Sequence, residues 1–207
     1  MKRIKYLLVV CLLGMASTMS AQFVNTSSSG STNSGSDATS WQGLRISYHP
    51  VSVNGDEGGD ISFSGASIGY AKSFSVSNSA PLFIETGANV SWVGGEVEDT
   101  DVKLNMFSVN VPVNFGYKFS LGNNNGIFPY VGLTLRGNIV GKMKYDDESV
   151  DVFKGENKWK RFQIGWQIGV GANFNTFYVG ASYGTDFSDI FEDAKVAMPS
   201  ISIGFNM

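Results

Sequence analysis

The chain has 207 residues, with 15 Lys and Arg against 18 Asp and Glu, 43% hydrophobic and only 16% charged residues. With 25 Gly, 15 Phe, 8 Tyr and 4 Trp, this composition excludes a coiled coil, a basic nucleic-acid binder and a disordered acidic tail. It leans towards β structure in one domain of moderate size.

At the N-terminus, Lys2, Arg3 and Lys5 precede an apolar run from Tyr6 to Ala16 and then Ser17, Thr18, Ser20 and Ala21. This reads as a secretory signal peptide over 1–21, cut after Ala21 or after Ser20. The apolar run is shorter than the ~20 residues a membrane-crossing helix needs. Cys11 is the only cysteine and falls inside that segment. A mature chain without cysteine has no disulfide, thiol nucleophile or thiolate metal site. It would carry 12 basic against 18 acidic side chains, a net −6, which excludes nucleic acid as a partner. From Asn25 to Ser40, fourteen of sixteen positions are Ser, Thr, Asn or Gly. Such a run buries too little to offset its ordering entropy, so 22–40 is expected to be a flexible lead and 41–207 the folded domain.

From Trp41 onward the period is two. In Phe107–Phe119 every odd position is apolar or aromatic and the even ones are small or polar, and Phe162–Phe174 behaves alike with Ile164, Trp166, Ile168 and Val170 on one face. Alternation of this kind gives a strand one apolar and one polar wall. Eight segments are predicted, near 42–51, 62–74, 82–93, 104–119, 127–141, 159–174, 176–184 and 197–207. Their connections alternate long and short, and sixteen of the eighteen acidic residues lie in or beside the long ones. An even number of antiparallel strands, with short turns at one rim and longer loops at the other, predicts an all-β fold: an eight-stranded antiparallel up-and-down transmembrane β-barrel.

A soluble barrel with the apolar wall inside is excluded by volume. Phe107, Phe115, Tyr117, Phe119, Phe162, Trp166, Phe177, Tyr183 and Phe205 exceed what eight strands enclose. The polar wall is also too poor in charge for a water-facing surface. Its few ions, Arg45, Glu85, Lys118, Arg136 and Arg161, suit a narrow lumen. Counted from the short-turn rim, Arg45, Glu85 and Lys118 share a depth and Arg136 lies nearer mid-membrane, so a plug centred on Glu85 and its basic neighbours is expected, together with a bulge or lumen-side kink at Pro112.

Several short patterns carry a resemblance: Val111-Pro112-Val113 with Gly116-Tyr117-Lys118-Phe119, Pro129-Tyr130-Val131-Gly132-Leu133, Gly165 with Gly169-Val170-Gly171, and Tyr183-Gly184 followed by Asp189-Ile190. In this order the chain over 41–207 resembles the outer-membrane β-barrel domain widespread in Bacteroidota, often described as porin-like or OmpA/OmpX-like. The resemblance implies a monomer-sized integral protein of the cell outer membrane, in contact with outer-membrane lipids and inserted by the barrel-insertion machinery. In that family the chain end alternates apolar residues up to a final aromatic. Here Ile201, Ile203 and Phe205 keep the alternation and Met207 replaces the aromatic.

Three function classes follow. A literal porin is opposed by eight strands, whose lumen side chains fill; a narrow ion path through the charge cluster is the alternative. A lipid-modifying enzyme would have to use His49, the only histidine, and no Gly-x-Ser-x-Gly elbow accompanies it. A non-enzymatic structural or surface-interaction role rests on the acidic loops, where Glu96, Glu98, Asp99, Asp101, Asp146, Asp147, Glu148 and Asp151 would meet a protein partner or, less readily, a divalent cation. No cofactor motif is present, and the expected role is the structural or interaction one.

Overall fold

The period-two segments become strands that cannot stop at an edge, because an unpaired ladder in lipid would leave backbone N–H and C=O groups without partners. A computed structural model describes residues 39–54, 61–96, 102–122, 125–145, 148–154, 159–190 and 195–207. The expected signal peptide lies outside the described residues, as does the expected lead up to residue 38.

The strands are β1 (Gln42–Asn54), β2 (Ile61–Ser75), β3 (Leu82–Glu96), β4 (Val102–Tyr117), β5 (Phe119–Gly122), β6 (Asn125–Tyr145), β7 (Glu148–Asp151), β8 (Phe162–Phe174), β9 (Phe177–Asp186) and β10 (Lys195–Asn206). Each long strand pairs with its sequence neighbours. Two further pairings, β4 with β6 and β1 with β10, close the sheet, so eight antiparallel strands form a barrel. Short β5 continues β4 beyond a break at Lys118, whose N–H turns to the Pro81 carbonyl at 2.9 Å, and β7 forms a small hairpin on β6 within the expected 142–158 loop.

The pleat decides which wall faces where. In β1, Leu44, Ile46 and Tyr48 point outward and are exposed while Arg45, Ser47 and His49 point inward. The same parity places Val131, Leu133, Ile168, Val170, Ile201 and Ile203 outside. An outer surface of aliphatics is stable only against hydrocarbon. At the short-turn end, tilted ring pairs such as Phe177–Phe205, with centroids 4.6 Å apart, and Tyr117–Phe119, at 4.8 Å, form the interfacial aromatic belt.

Two local features differ from the sequence reading. Pro112 does not make a bulge. Thr86↔Val113 and Asn89↔Asn110 keep one register across a gap in the β3–β4 ladder, since proline has no N–H to give. The bulge lies earlier in β4, between Phe107 and Ser108, where Ile139 is the extra residue on β6. The β8–β9 turn is two residues, Asn175 and Thr176, between paired Phe174 and Phe177. Asn175 has φ 57°, a left-handed conformation that asparagine tolerates in tight turns. Replacing it by β-branched valine is expected to cost about 1–2 kcal/mol, and glycine should be neutral. Urea unfolding in micelles, followed by the electrophoretic shift of the folded barrel, measures both.

Candidate functional site

The inward wall fills the lumen in three layers, each supplied by residues of alternating parity on different strands. The layer at the short-turn end is aromatic. Trp41, just ahead of β1, packs on Phe83 of β3 and Phe128 of β6 with centroids 4.8 and 4.9 Å away, and Phe128 continues to Tyr178 of β9 at 6.0 Å. Phe83 and Phe128 are fully buried. Their rings lie flat over Gly116 and Gly171 of the neighbouring strands, where a Cβ would overlap ring carbons. Charges ring this floor. Glu85 accepts from Trp41 Nε1 at 3.1 Å and from Asn114 Nδ2 at 3.4 Å. The Arg45 guanidinium lies 3.8 Å above the Tyr178 ring and donates to Asn206 Oδ1 at 2.7 Å, and Lys118 Nζ lies 5.3 Å from the Trp41 ring.

Above the floor is a polar chamber of about 160 Å³, lined by Arg45, Glu85, His49, Asn110, Arg136, Gln167 and serines of several strands. At 10–15 Å³ for each water position, it holds on the order of ten waters. At its far wall, Arg136 Nη2 and Asp186 Oδ1 pair at 2.8 Å, with side chains 5% and 1% exposed. Gln163 Nε2 donates to Asp186 Oδ2 at 2.8 Å. Asn138 Nδ2 donates to Gln163 Oε1 at 3.1 Å, and Ser108 Oγ to Asn138 Oδ1 at 2.7 Å. The carboxylate side of this buried pair is thereby satisfied, whereas the buried Arg136 Nε has no hydrogen-bond partner among the described residues.

The third layer closes the long-loop end. Val51, Phe63, Val93, Leu104, Met106 and Val196 from the strands meet Val152, Phe153 and Ile190, which loops carry into the mouth. Phe153 is held by Arg161, whose guanidinium lies 4.3 Å from its ring, and by its own N–H, which donates to Asp151 Oδ1 at 3.0 Å. That hydrogen bond holds the Asp151 carboxyl below the ordinary carboxylate range.

Arg45, Glu85 and Lys118 thus share the floor, whereas Arg136 lies across the chamber on Asp186 instead of on Glu85. Arg161 sits exposed at the long-loop rim, outside the lumen, with Nη1 donating to the Ile139 carbonyl. His49 is buried in the chamber wall. Among the described residues no serine or carboxylate bonds to it, and Asp186 is already taken by Arg136 and Gln163. Ile201, Ile203 and Phe205 point into the lipid zone, and the Met207 N–H closes the end of the ladder on the Gln42 carbonyl. Among the described residues no three His, Cys, Asp or Glu converge as a metal site; Glu98, Asp99, Asp101, Asp146 and Asp147 lie outside them. Trp41, Asp186, Gln163 and Tyr178 were not singled out from the sequence as site residues. Parity carried the signal: Trp41 extends the inward series of Arg45, Ser47 and His49, and Asp186 that of Tyr178, Ser182 and Gly184.

A closed eight-stranded antiparallel sheet, aliphatic outside and packed with rings, amides and an ion pair inside, is the architecture of an integral outer-membrane barrel. The chain belongs to the outer membrane protein β-barrel domain family, which matches residues 13–192, and is an outer-membrane protein. Among solved structures, Ail, the attachment invasion locus protein of Yersinia pestis, is 14% identical, with 81% of this chain and 99% of that one covered and a TM-score of 0.53. Neisserial surface protein A is 14% identical, with 79% and 96% covered and a TM-score of 0.51. The outer membrane enzyme PagL is 15% identical, with 77% and 97% covered and a TM-score of 0.47. At these identities the likeness is one of fold. No curated protein matches the sequence.

Arg136→Met, which leaves the Asp186 carboxylate buried without its cation, is expected to lower stability by about 3–5 kcal/mol. The double variant Arg136→Met with Asp186→Leu should recover much of that loss. Urea unfolding of the refolded proteins in micelles compares them.

Proposed function

We propose that the protein is a non-enzymatic outer-membrane barrel with a closed lumen, serving a structural or surface-interaction role at its long-loop end. The observation that carries this reading is the filling of the lumen at both mouths, by Trp41, Phe83, Phe128 and Tyr178 at one and by the Val51 to Val196 cluster with Phe153 and Ile190 at the other. A lumen so filled offers solutes no continuous aqueous path. That no serine or carboxylate among the described residues bonds to buried His49 argues against hydrolysis of the Ser-His type.

The proposal includes export through a signal peptide over 1–21, insertion by the barrel machinery reading Ile201, Ile203, Phe205 and Met207, and a protein partner for the acidic loops. The order of motifs along 41–207 supports kinship with the Bacteroidota barrels. Ail, a protein of the same fold, is named for attachment and invasion; in this chain the long loops carry most of the acidic residues. A second reading, a narrow ion path, is favoured by one observation, the charged chamber of about 160 Å³ between the two closures.

Planar-bilayer recording of the refolded protein, beside its electrophoretic mobility with and without heating, separates the two readings. The expected result is a heat-modifiable band with no steady conductance. Stable conductance steps would overturn the closed lumen in favour of the ion path.

A further inference from the structure

The two closures of the lumen are unlike in construction. Phe83, Phe128 and Tyr178 stand on β3, β6 and β9, each paired on both sides, and leave their places only if the barrel opens. Trp41 stands on the segment before β1. Its backbone N–H donates to Ser73 Oγ at 2.8 Å, its carbonyl accepts from the Ser73 N–H at 2.8 Å, and its indole N–H donates to Glu85 at 3.1 Å. Ser73 Oγ also donates to the carbonyl of Thr39 at 2.8 Å, and Thr39 is fully buried although it lies in the region expected to be a flexible lead. One serine and one carboxylate therefore supply the hydrogen bonds that hold the one floor ring standing outside the strands. Arg45 and Glu85 belong both to that floor and to the lining of the chamber above it.

We propose that Thr39–Trp41 is a removable stopper, so that the position of these three residues sets the access of water and small ions to the chamber from the short-turn side. Withdrawal breaks the hydrogen bonds to Ser73 and Glu85, including the backbone bond that extends the β1–β2 ladder past Gln42, and leaves the ladders from Gln42 onward intact. It exposes charged and hydroxyl side chains that water solvates readily, so the open state loses ring packing but gains hydration. The long-loop closure does not depend on the stopper, so its removal opens the chamber on one side and creates no through-path. The inference rests on the closed-lumen reading above.

The test is the reactivity of a cysteine placed in the chamber at Ser182, in a mature chain that has none of its own. Ser182→Cys is refolded and treated with a small charged methanethiosulfonate, and modification is read only on the compact, unheated band. With Trp41→Ala added, the rate is expected to rise at least tenfold over the Ser182→Cys parent, with Trp41→Phe in between. Ser73→Ala leaves the indole untouched and removes the hydroxyl that ties Trp41 to Thr39, and it should raise the rate as well. Equal rates in the parent, Trp41→Ala and Ser73→Ala, in a parent that does not conduct, would overturn the stopper alone. A conducting parent would overturn the closed lumen and the stopper with it.

Discussion

Everything in this molecule depends on pairing between the first and last strands. Lipid offers no hydrogen bonds to a free strand edge, so the sheet must meet itself. It does so along β1 and β10, from Gly43↔Asn206 to Tyr48↔Ile201. Once closed, the barrel has a fixed strand number, and eight strands leave a lumen only wide enough for side chains to fill. The polar wall is therefore no surface at all but an interior, in which rings pack, Arg136 pairs with Asp186 and several amides bond to one another.

That constraint explains the division of the lumen into layers. Near each mouth the chain can afford apolar packing, because strand residues there are joined by residues from outside the ladder, Trp41 at one end and Val152, Phe153 and Ile190 at the other. In the middle only strand residues reach inward, and many of them are serine, glycine or asparagine, too small to meet across the axis. The polar chamber is what remains. Arg136 and Asp186 lie against its far wall, with Gln163 bonded to the Asp186 carboxylate and Asn138 to Gln163. On the closed-lumen reading proposed above, function would lie at the rims of the barrel instead of in bulk transport through it.

The architecture was legible because the period-two pattern from Trp41 to the chain end fixes both parity and strand number, and loop lengths fix the polarity of the barrel. Membership of the lumen followed from parity alone for Arg45, Glu85, Lys118 and Arg136. Their partners did not. Which inward residues meet depends on barrel shear and strand tilt, which no local pattern encodes, so Arg136 was assigned to Glu85 when Asp186 lies within reach of it. Arg161 failed for a different reason. It sits one residue before β8, where the pleat has not begun, so parity says nothing of its direction. The strain expected at Pro112 was absorbed by a missing ladder bond, whereas the bulge at Ile139 occupies a position that carries no proline or glycine signal.

The most direct test of the account is amide hydrogen exchange of the protein in lipid bilayers, read across the closing seam. If β1 and β10 shut the barrel, the amides of Leu44, Ile46, Ile201 and Ile203 exchange as slowly as those of central β6 and β8. Fast exchange confined to β1 and β10, with the other strands protected, would mean an open sheet and would contradict both the closed barrel and the packed lumen that follows from it.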